Sequence, residues 1–392
     1  MGQYNFDKPV IRRGTNCVKW DETDIEDVIP LWVADMDFEV LPEITEALKK
    51  RVEHGVFGYA IVGESYYSSI IHWFHRRHNW KIQREWIQYT TGVVPAVSAV
   101  IKALTMPGER VLMTSPIYNC FFSCIRNNGC EVLESPLQTS IIDHQPTYVV
   151  DWEDFERKCA DKKTTVFLLC NPHNPGGRVW TKEELLRMND ICLRHGVKVI
   201  SDEIHCELIM PGHEFVPFAS VSEACAENCV VCGSPSKSFN TAGLQMAHII
   251  CQNEEWRRRI DRAININEIC DVNPFAPLAV EIAYNDGEQW IDELNDYLFG
   301  NYQFLCDFIA QELPQLKVYK LEGTYLTWID ITATGMTSDQ LTRKLLREGR
   351  VWVNSGSIYS PLTGEGFIRI NLATQRARLT EALHRIARTL KS

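Results

Sequence analysis

The 392-residue chain has no apolar run long enough to span a bilayer, which excludes a transmembrane helix. Its N-terminus, Met1-Gly2-Gln3-Tyr4-Asn5-Phe6, lacks the basic-then-apolar order of a secretion signal. Phe6 also stands where a myristoylation motif needs Ser or Thr. There is no basic block, and 40 Lys and Arg against 51 Asp and Glu give a net charge of −11. That balance argues against a nucleic-acid partner, whose phosphates demand neutralisation. No internal repeat, low-complexity stretch or flexible linker interrupts the sequence, and no second cysteine pair at zinc-finger spacing accompanies Cys229-Val230-Val231-Cys232.

What is present is an ordinary globular composition with 14 cysteines. Without a secretion signal these read as reduced thiols of a cytoplasmic protein. Cys170, Cys192, Cys229, Cys232 and Cys251 sit in apolar runs and are expected to fill the core. On a strand, Cys229 and Cys232 face opposite sides, which weighs against a joint site. His72, His75 and His78 lie three apart in an amphipathic run and read as a solvated helix face.

The length calls for more than one core. A helix opens at Pro42, and from there to about residue 285 short apolar strands alternate with helices. The capping box Thr181…Glu184 starts one of these helices. Near-continuous apolar strands between helices predict an α/β fold with a mostly parallel sheet covered on both faces. Beyond about Pro277 a long helical region, with a possible break near Gly300, leads to a strand pair and a terminal helix. The expected organisation is a large domain over 46–285 and a smaller α+β domain over 286–392, with 1–45 contributing to the latter.

Binding sites in such folds collect at strand C-terminal ends, and four of these ends carry unusual residues. Gly92-Val93-Val94 follows a strand and opens a helix, where backbone N–H groups can hold a phosphate. Asn171-Pro172-His173-Asn174-Pro175-Gly176-Gly177 is a rigid turn after the most apolar strand. Asp202 ends the next strand, where a buried acid needs a cationic partner. Ser234-Pro235-Ser236-Lys237-Ser238-Phe239-Asn240 delivers a lysine among hydroxyls. Singly, each has a bland reading as a turn, a cap or a surface lysine. Together they supply what pyridoxal phosphate needs: a Schiff-base lysine, an acid for the ring nitrogen, and donors for the ring oxygen and the phosphate.

Asn-Pro-x-Asn-Pro, Ser-Asp-Glu-x-His and Ser-x-Ser-Lys-x-Phe-Asn, in this order, resemble fold-type I pyridoxal-phosphate enzymes of the class I/II aminotransferase superfamily. The Ala34-Asp35-Met36-Asp37-Phe38, Gly55-to-Tyr59 and Gly366-to-Asn371 stretches are most similar to the cystathionine β-lyase (C–S lyase) group. The resemblance spans about residues 30–371. It implies a seven-stranded-type, mostly parallel sheet and a homodimer. It implies that Lys237 carries the cofactor, Asp202 pairs with the ring nitrogen, Asn174 meets the ring oxygen and Tyr118 stacks on the ring. Gly92, Val93, Val94, Ser234 and Ser236 surround the phosphate, and Tyr59 reaches it from the partner subunit. His205 stands where many aminotransferases have Tyr, and belongs with the cofactor residues. Arg369, helped by backbone at Val33 and Ala34, binds the substrate α-carboxylate.

There are departures from the pattern. Gln245 replaces a phosphate-binding Arg. Gly176 replaces a hydroxyl residue, which predicts a looser turn. Residues 354–361 match the lyases less well. The implied reaction is release of a thiol, pyruvate and ammonia from cystathionine or another S-substituted cysteine. An aminotransferase would use the same residues, and a regulatory protein retaining the fold is the rival from another class.

Overall fold

A computed structural model describes residues 2–266 and 271–391. Seven strands form the principal sheet in the order Ile87–Thr90, Ala247–Cys251, Cys229–Gly233, Lys198–Asp202, Thr164–Cys170, Arg110–Ser115, Glu131–Pro136. Every neighbouring pair from Cys229–Gly233 to Glu131–Pro136 is parallel. Ala247–Cys251 runs antiparallel to both of its neighbours. Ile87–Thr90 therefore points the same way as the parallel set, and its C-terminal end joins theirs on one edge.

The strands are apolar on both sides because both sides are covered. One face packs on helices Val93–Leu104, Cys120–Asn127 and Glu254–Asn265. The other packs on Glu64–His78, Trp152–Cys159, Lys182–Arg194 and Ala276–Asp286. Cys229 belongs to one of these cores and Cys232 to the other, as strand alternation requires. The Thr181–Glu184 capping box is formed in both directions. Helices Trp152–Cys159 and Glu254–Asn265 escape the sequence reading, although Asp151 and Asn253 cap them through their side chains.

A second sheet of four antiparallel strands runs Lys317–Val318, Leu326–Asp330, Phe367–Asn371, Asn354–Ser355. The N-terminal segment joins this part of the chain by pairing Ile29–Pro30 with Val351–Trp352. None of the described helices is long and apolar enough to cross a membrane.

Two expectations need correction. His72 and His75 are exposed, but His78 is not part of a solvated face: its Nε2 lies 2.6 Å from Glu207 Oε1. Glu207 is buried and collects every donor in reach, including Trp73 Nε1 at 2.7 Å and Arg77 at 3.4 Å. The helical break falls at Gly287, not Gly300. Helix Glu288–Glu312 runs through Gly300 because Leu298, Asn301, Tyr302 and Leu305 bury one continuous face, which outweighs the low helix propensity of glycine.

At Gly287 a Cβ would lie 2.7 Å from Phe239 Cζ and would also crowd the Ala283 carbonyl. Phe239 stacks on Trp290 and sits two residues from Lys237. Gly287→Ala is therefore expected to lower stability by about 1–3 kcal/mol through overpacking. Urea unfolding of the purified variant reads this, and an unchanged midpoint would contradict it.

Candidate active site

The aligned strand ends open on one cavity of about 510 Å³. Gly92, Val93, Val94, Tyr118, Asn174, Asp202, His205, Ser236, Lys237, Arg369, Val33 and Ala34 all line it. Ser234 does not: its hydroxyl donates to the Met246 carbonyl at 2.7 Å and accepts the Ser236 N–H, so it shapes the loop from behind. Tyr59 is 96% exposed and lies away from this cavity.

Lys237 extends from the loop after Cys229–Gly233, and its Nζ donates to the Ala34 carbonyl at 2.6 Å. Burial pulls the ammonium pKa below its ordinary value. Asp35 opposes this and Arg369 adds to it. Asp202 is buried at its strand end and accepts the Ile204 N–H at 3.0 Å. Burial pushes its carboxyl up to about 7 despite Lys237 nearby. His205 is held neutral by burial, with Lys237 and Arg369 adding to the effect, and its Nδ1 has no partner among the described residues.

Arg369 is only 3% exposed. Nη1 donates to Asn174 Oδ1 at 3.0 Å, Nη2 donates to the Trp32 carbonyl at 2.9 Å, and the guanidinium lies over the Tyr359 ring. Its Nε has no partner among the described residues. A buried fork held this way is prepared for a carboxylate.

At the other end of the cavity, helix Val93–Leu104 begins at Gly92 with no side-chain cap. Its first amides and the Ser236 hydroxyl make an anion cradle without a guanidinium, since Gln245 lines the cavity in that place. Pyridoxal phosphate fits this donor set. The cradle would hold the phosphate, the raised Asp202 carboxyl would suit a pyridinium, and the depressed Lys237 amine would suit an aldehyde. Asn174 Oδ1 is engaged by Arg369, which leaves Asn174 Nδ2 for a ring oxygen.

The 171–177 turn carries local hydrogen bonds in place of the hydroxyl. His173 Nδ1 accepts the Gly176 N–H at 3.2 Å and its carbonyl accepts the Gly177 N–H at 2.8 Å, so the imidazole replaces the missing hydroxyl. A Cβ on Gly176 would lie 2.7 Å from the Tyr148 ring and 2.8 Å from His173 Nδ1.

Sequence reasoning missed the clamp that holds residues 33–37 over Lys237. Asn371 Nδ2 donates to the Val33 and Asp35 carbonyls, Asn240 bonds Met36 in both directions, and Tyr325 donates to the Ala34 carbonyl. Beneath them, buried Asp37 meets Arg12 at 2.9 Å, Lys19 at 3.2 Å and Arg378 at 3.3 Å. Arg12 and Lys19 are near Asp37 in sequence, but Arg378 comes from the last helix, and nothing in the spacing joins it to Asp37.

The sequence profile of the family "aminotransferase class I and II" matches residues 26–386. The chain belongs to this family. Among its relatives, cystathionine beta-lyase PatB of Bacillus subtilis is 41% identical, covering 98% of this chain and all of the relative. A pyridoxal-phosphate-bound protein from Clostridium difficile, provisionally named an aminotransferase, superposes with a TM-score of 0.95 at 42% identity, covering 99% of this chain and 100% of that one. Cystalysin from Treponema denticola, which contains pyridoxal 5'-phosphate, superposes at 0.94 with 35% identity and 99% coverage of both chains. The fold described above is thus shared with solved pyridoxal-phosphate-bound proteins.

The Asp37 cluster generates a prediction. Burial alone would raise the Asp37 carboxyl, but Lys19, the Trp20 N–H, Arg378 and Arg12 outweigh it and hold it at about 2, below the ordinary 3.8. A depressed folded-state value stabilises fully above the ordinary value and is lost as pH falls through the folded one. Asp37→Asn is expected to remove about 3–5 kcal/mol at neutral pH by stranding buried cations. It should also flatten the stability loss between about pH 4 and pH 2. Chemical denaturation across this range reads both, and an acid limb as steep as the parent's would contradict the assignment.

Proposed function

We propose that this protein is a pyridoxal-phosphate-dependent C–S β-lyase converting S-substituted cysteines, cystathionine among them, into a thiol, pyruvate and ammonia. The observation that carries this is the convergence of the depressed Lys237 amine, the buried Asp202 carboxyl and the Arg369 fork on one cavity, in a chain so similar to a cystathionine β-lyase. When bound, pyridoxal phosphate supplies an electron sink for the substrate α-carbon.

The chain's own residues do the rest. Asp202 offers a carboxylate whose burial is compensated by a ring-nitrogen cation, and that pairing keeps the ring protonated. The amides of Val93 and Val94 and the Ser236 hydroxyl tether the phosphate, with Gln245 adding no charge. Tyr118 covers one ring face. Arg369, pre-oriented by Asn174 and Trp32, fixes the α-carboxylate and so the direction in which the Cα–H bond points. The Lys237 amine would remove the proton from Cα. Its lowered pKa favours the neutral amine that this step needs. A thiolate on the neighbouring carbon then leaves, and water completes the release of pyruvate and ammonia.

The surroundings support a two-subunit enzyme. Val56, Phe57, Tyr59 and Ile61 form an exposed apolar stretch suited to a second copy of this chain, with Tyr59 reaching the neighbour's phosphate cradle. We assign residues 46–285 to the large domain, and 1–45 with 286–392 to the small one. The thirteen described cysteines are all unpaired, which suits a cytoplasmic setting. The aminotransferase reading, favoured by the name of the Clostridium difficile structure, uses the same residues and differs only in the fate of the β-substituent. An intact Lys237, Asp202 and Arg369 set favours either chemistry over a purely regulatory role.

Purified protein loaded with pyridoxal phosphate should release pyruvate from L-cystathionine with no keto acid present. Lys237→Ala should lower that rate by about a hundredfold or more. Amino transfer that strictly requires a keto-acid acceptor, with no pyruvate in its absence, would overturn the lyase reading.

A further inference from the structure

One backbone oxygen beside the reacting amine receives two donors. Lys237 Nζ reaches the Ala34 carbonyl at 2.6 Å, and the Tyr325 hydroxyl reaches the same oxygen at 2.9 Å. A carbonyl oxygen has two lone pairs, and here both are engaged. Tyr325 is fully buried, and its hydroxyl makes no other hydrogen bond among the described residues. Residues 33–37 have other fastenings. Asn371 Nδ2 donates to the Val33 and Asp35 carbonyls at 2.6 and 2.7 Å. Asn240 accepts the Met36 N–H and donates to the Met36 and Phe38 carbonyls. Tyr325 adds its bond at the one carbonyl in this segment that Lys237 uses.

The shared acceptor holds the hydroxyl proton close to the Lys237 nitrogen. A positively polarised hydrogen there opposes an ammonium and spares a neutral amine. Burial already pulls the Lys237 ammonium down; Asp35, Asp202 and Cys120 act to retain it, and Arg369 acts against it. Around Tyr325 the charged groups are Asp35 and Arg369, and its ring meets the edge of His205, which burial holds neutral. Burial raises the Tyr325 hydroxyl further above its ordinary value, so it keeps the proton that it donates.

Resting on the reading of Lys237 as the reacting amine, we propose that Tyr325 is a positioning residue for it. By taking one lone pair of the Ala34 carbonyl, the hydroxyl weakens that oxygen's hold on the Lys237 ammonium and favours the neutral amine. The remaining N–H···O bond to Ala34 still orients the nitrogen, so its own lone pair is free for a proton from the substrate.

The test is competitive acetic-anhydride labelling across pH of full-length protein freed of pyridoxal phosphate, read by mass spectrometry on the peptide containing Lys237. Tyr325→Phe removes only the hydroxyl and is expected to raise the Lys237 labelling midpoint by about 0.5–1 pH unit. In the loaded enzyme the acid limb of kcat should move in the same direction. Incorporating 3-fluorotyrosine at position 325 supplies a stronger donor of nearly the same size and should lower the midpoint. An unchanged or lower midpoint in Tyr325→Phe would overturn the proposal. A rise with both replacements would trace the effect to loosened packing and overturn it as well. Labelling needs no turnover, so its failure leaves the lyase reading intact, and the absence of pyruvate is read separately.

Discussion

A carboxylate buried at the end of a parallel strand is the constraint around which this molecule is built. Asp202 is enclosed on both sides by strands, paired with Cys170 on one and Cys232 on the other. Burial drives its carboxyl up to about 7 against the lowering by the Ile204 N–H and Lys237. A group held in that state is poised to gain a cationic partner, and the cavity it faces also contains an uncapped helix start, a lysine with a lowered pKa and a buried arginine. The parallel sheet brings the acid, the helix start and the lysine together because all of its strand ends, and that of Ile87–Thr90, share one edge, and the second sheet supplies the arginine.

The second requirement is a roof. Residues 33–37 arrive from the N-terminal part of the chain and are held by Asn371, Asn240 and Tyr325 through their carbonyls and amides. The same segment receives Lys237 Nζ at Ala34 and lends its Trp32 carbonyl to Arg369. Lys237 and Arg369 are therefore positioned by one strap, and the Asp37 charge cluster anchors it. Packing of the strap, the strand ends and the 356–359 turn links the two sheets into one site.

Much of this was legible in the sequence. The strands stood out because a buried parallel sheet leaves continuous apolar runs, and Thr181 with Glu184 announced a helix by its cap. The four strand-end motifs identified most of the lining residues because chemistry of this type needs rare groupings in short stretches. What was not legible depends on distant pairing. His78 belongs to Glu207, 129 positions away, and Arg378 of the last helix belongs to Asp37. Ser234 illustrates the opposite error: its motif position suggested contact with the phosphate, but its hydroxyl is turned to the Met246 carbonyl. Cys120 and Ile358 carry no motif at all, and only the folded structure shows that they line the cavity.

The central claim is that the strand ends converge on Lys237 as the cofactor's attachment point. Reducing the cofactor-loaded protein with borohydride and locating the modified lysine by peptide mass spectrometry tests it most directly. The account predicts a pyridoxyl group on Lys237, in the peptide containing Ser234 to Asn240. Modification of a different lysine, or of none, would contradict it.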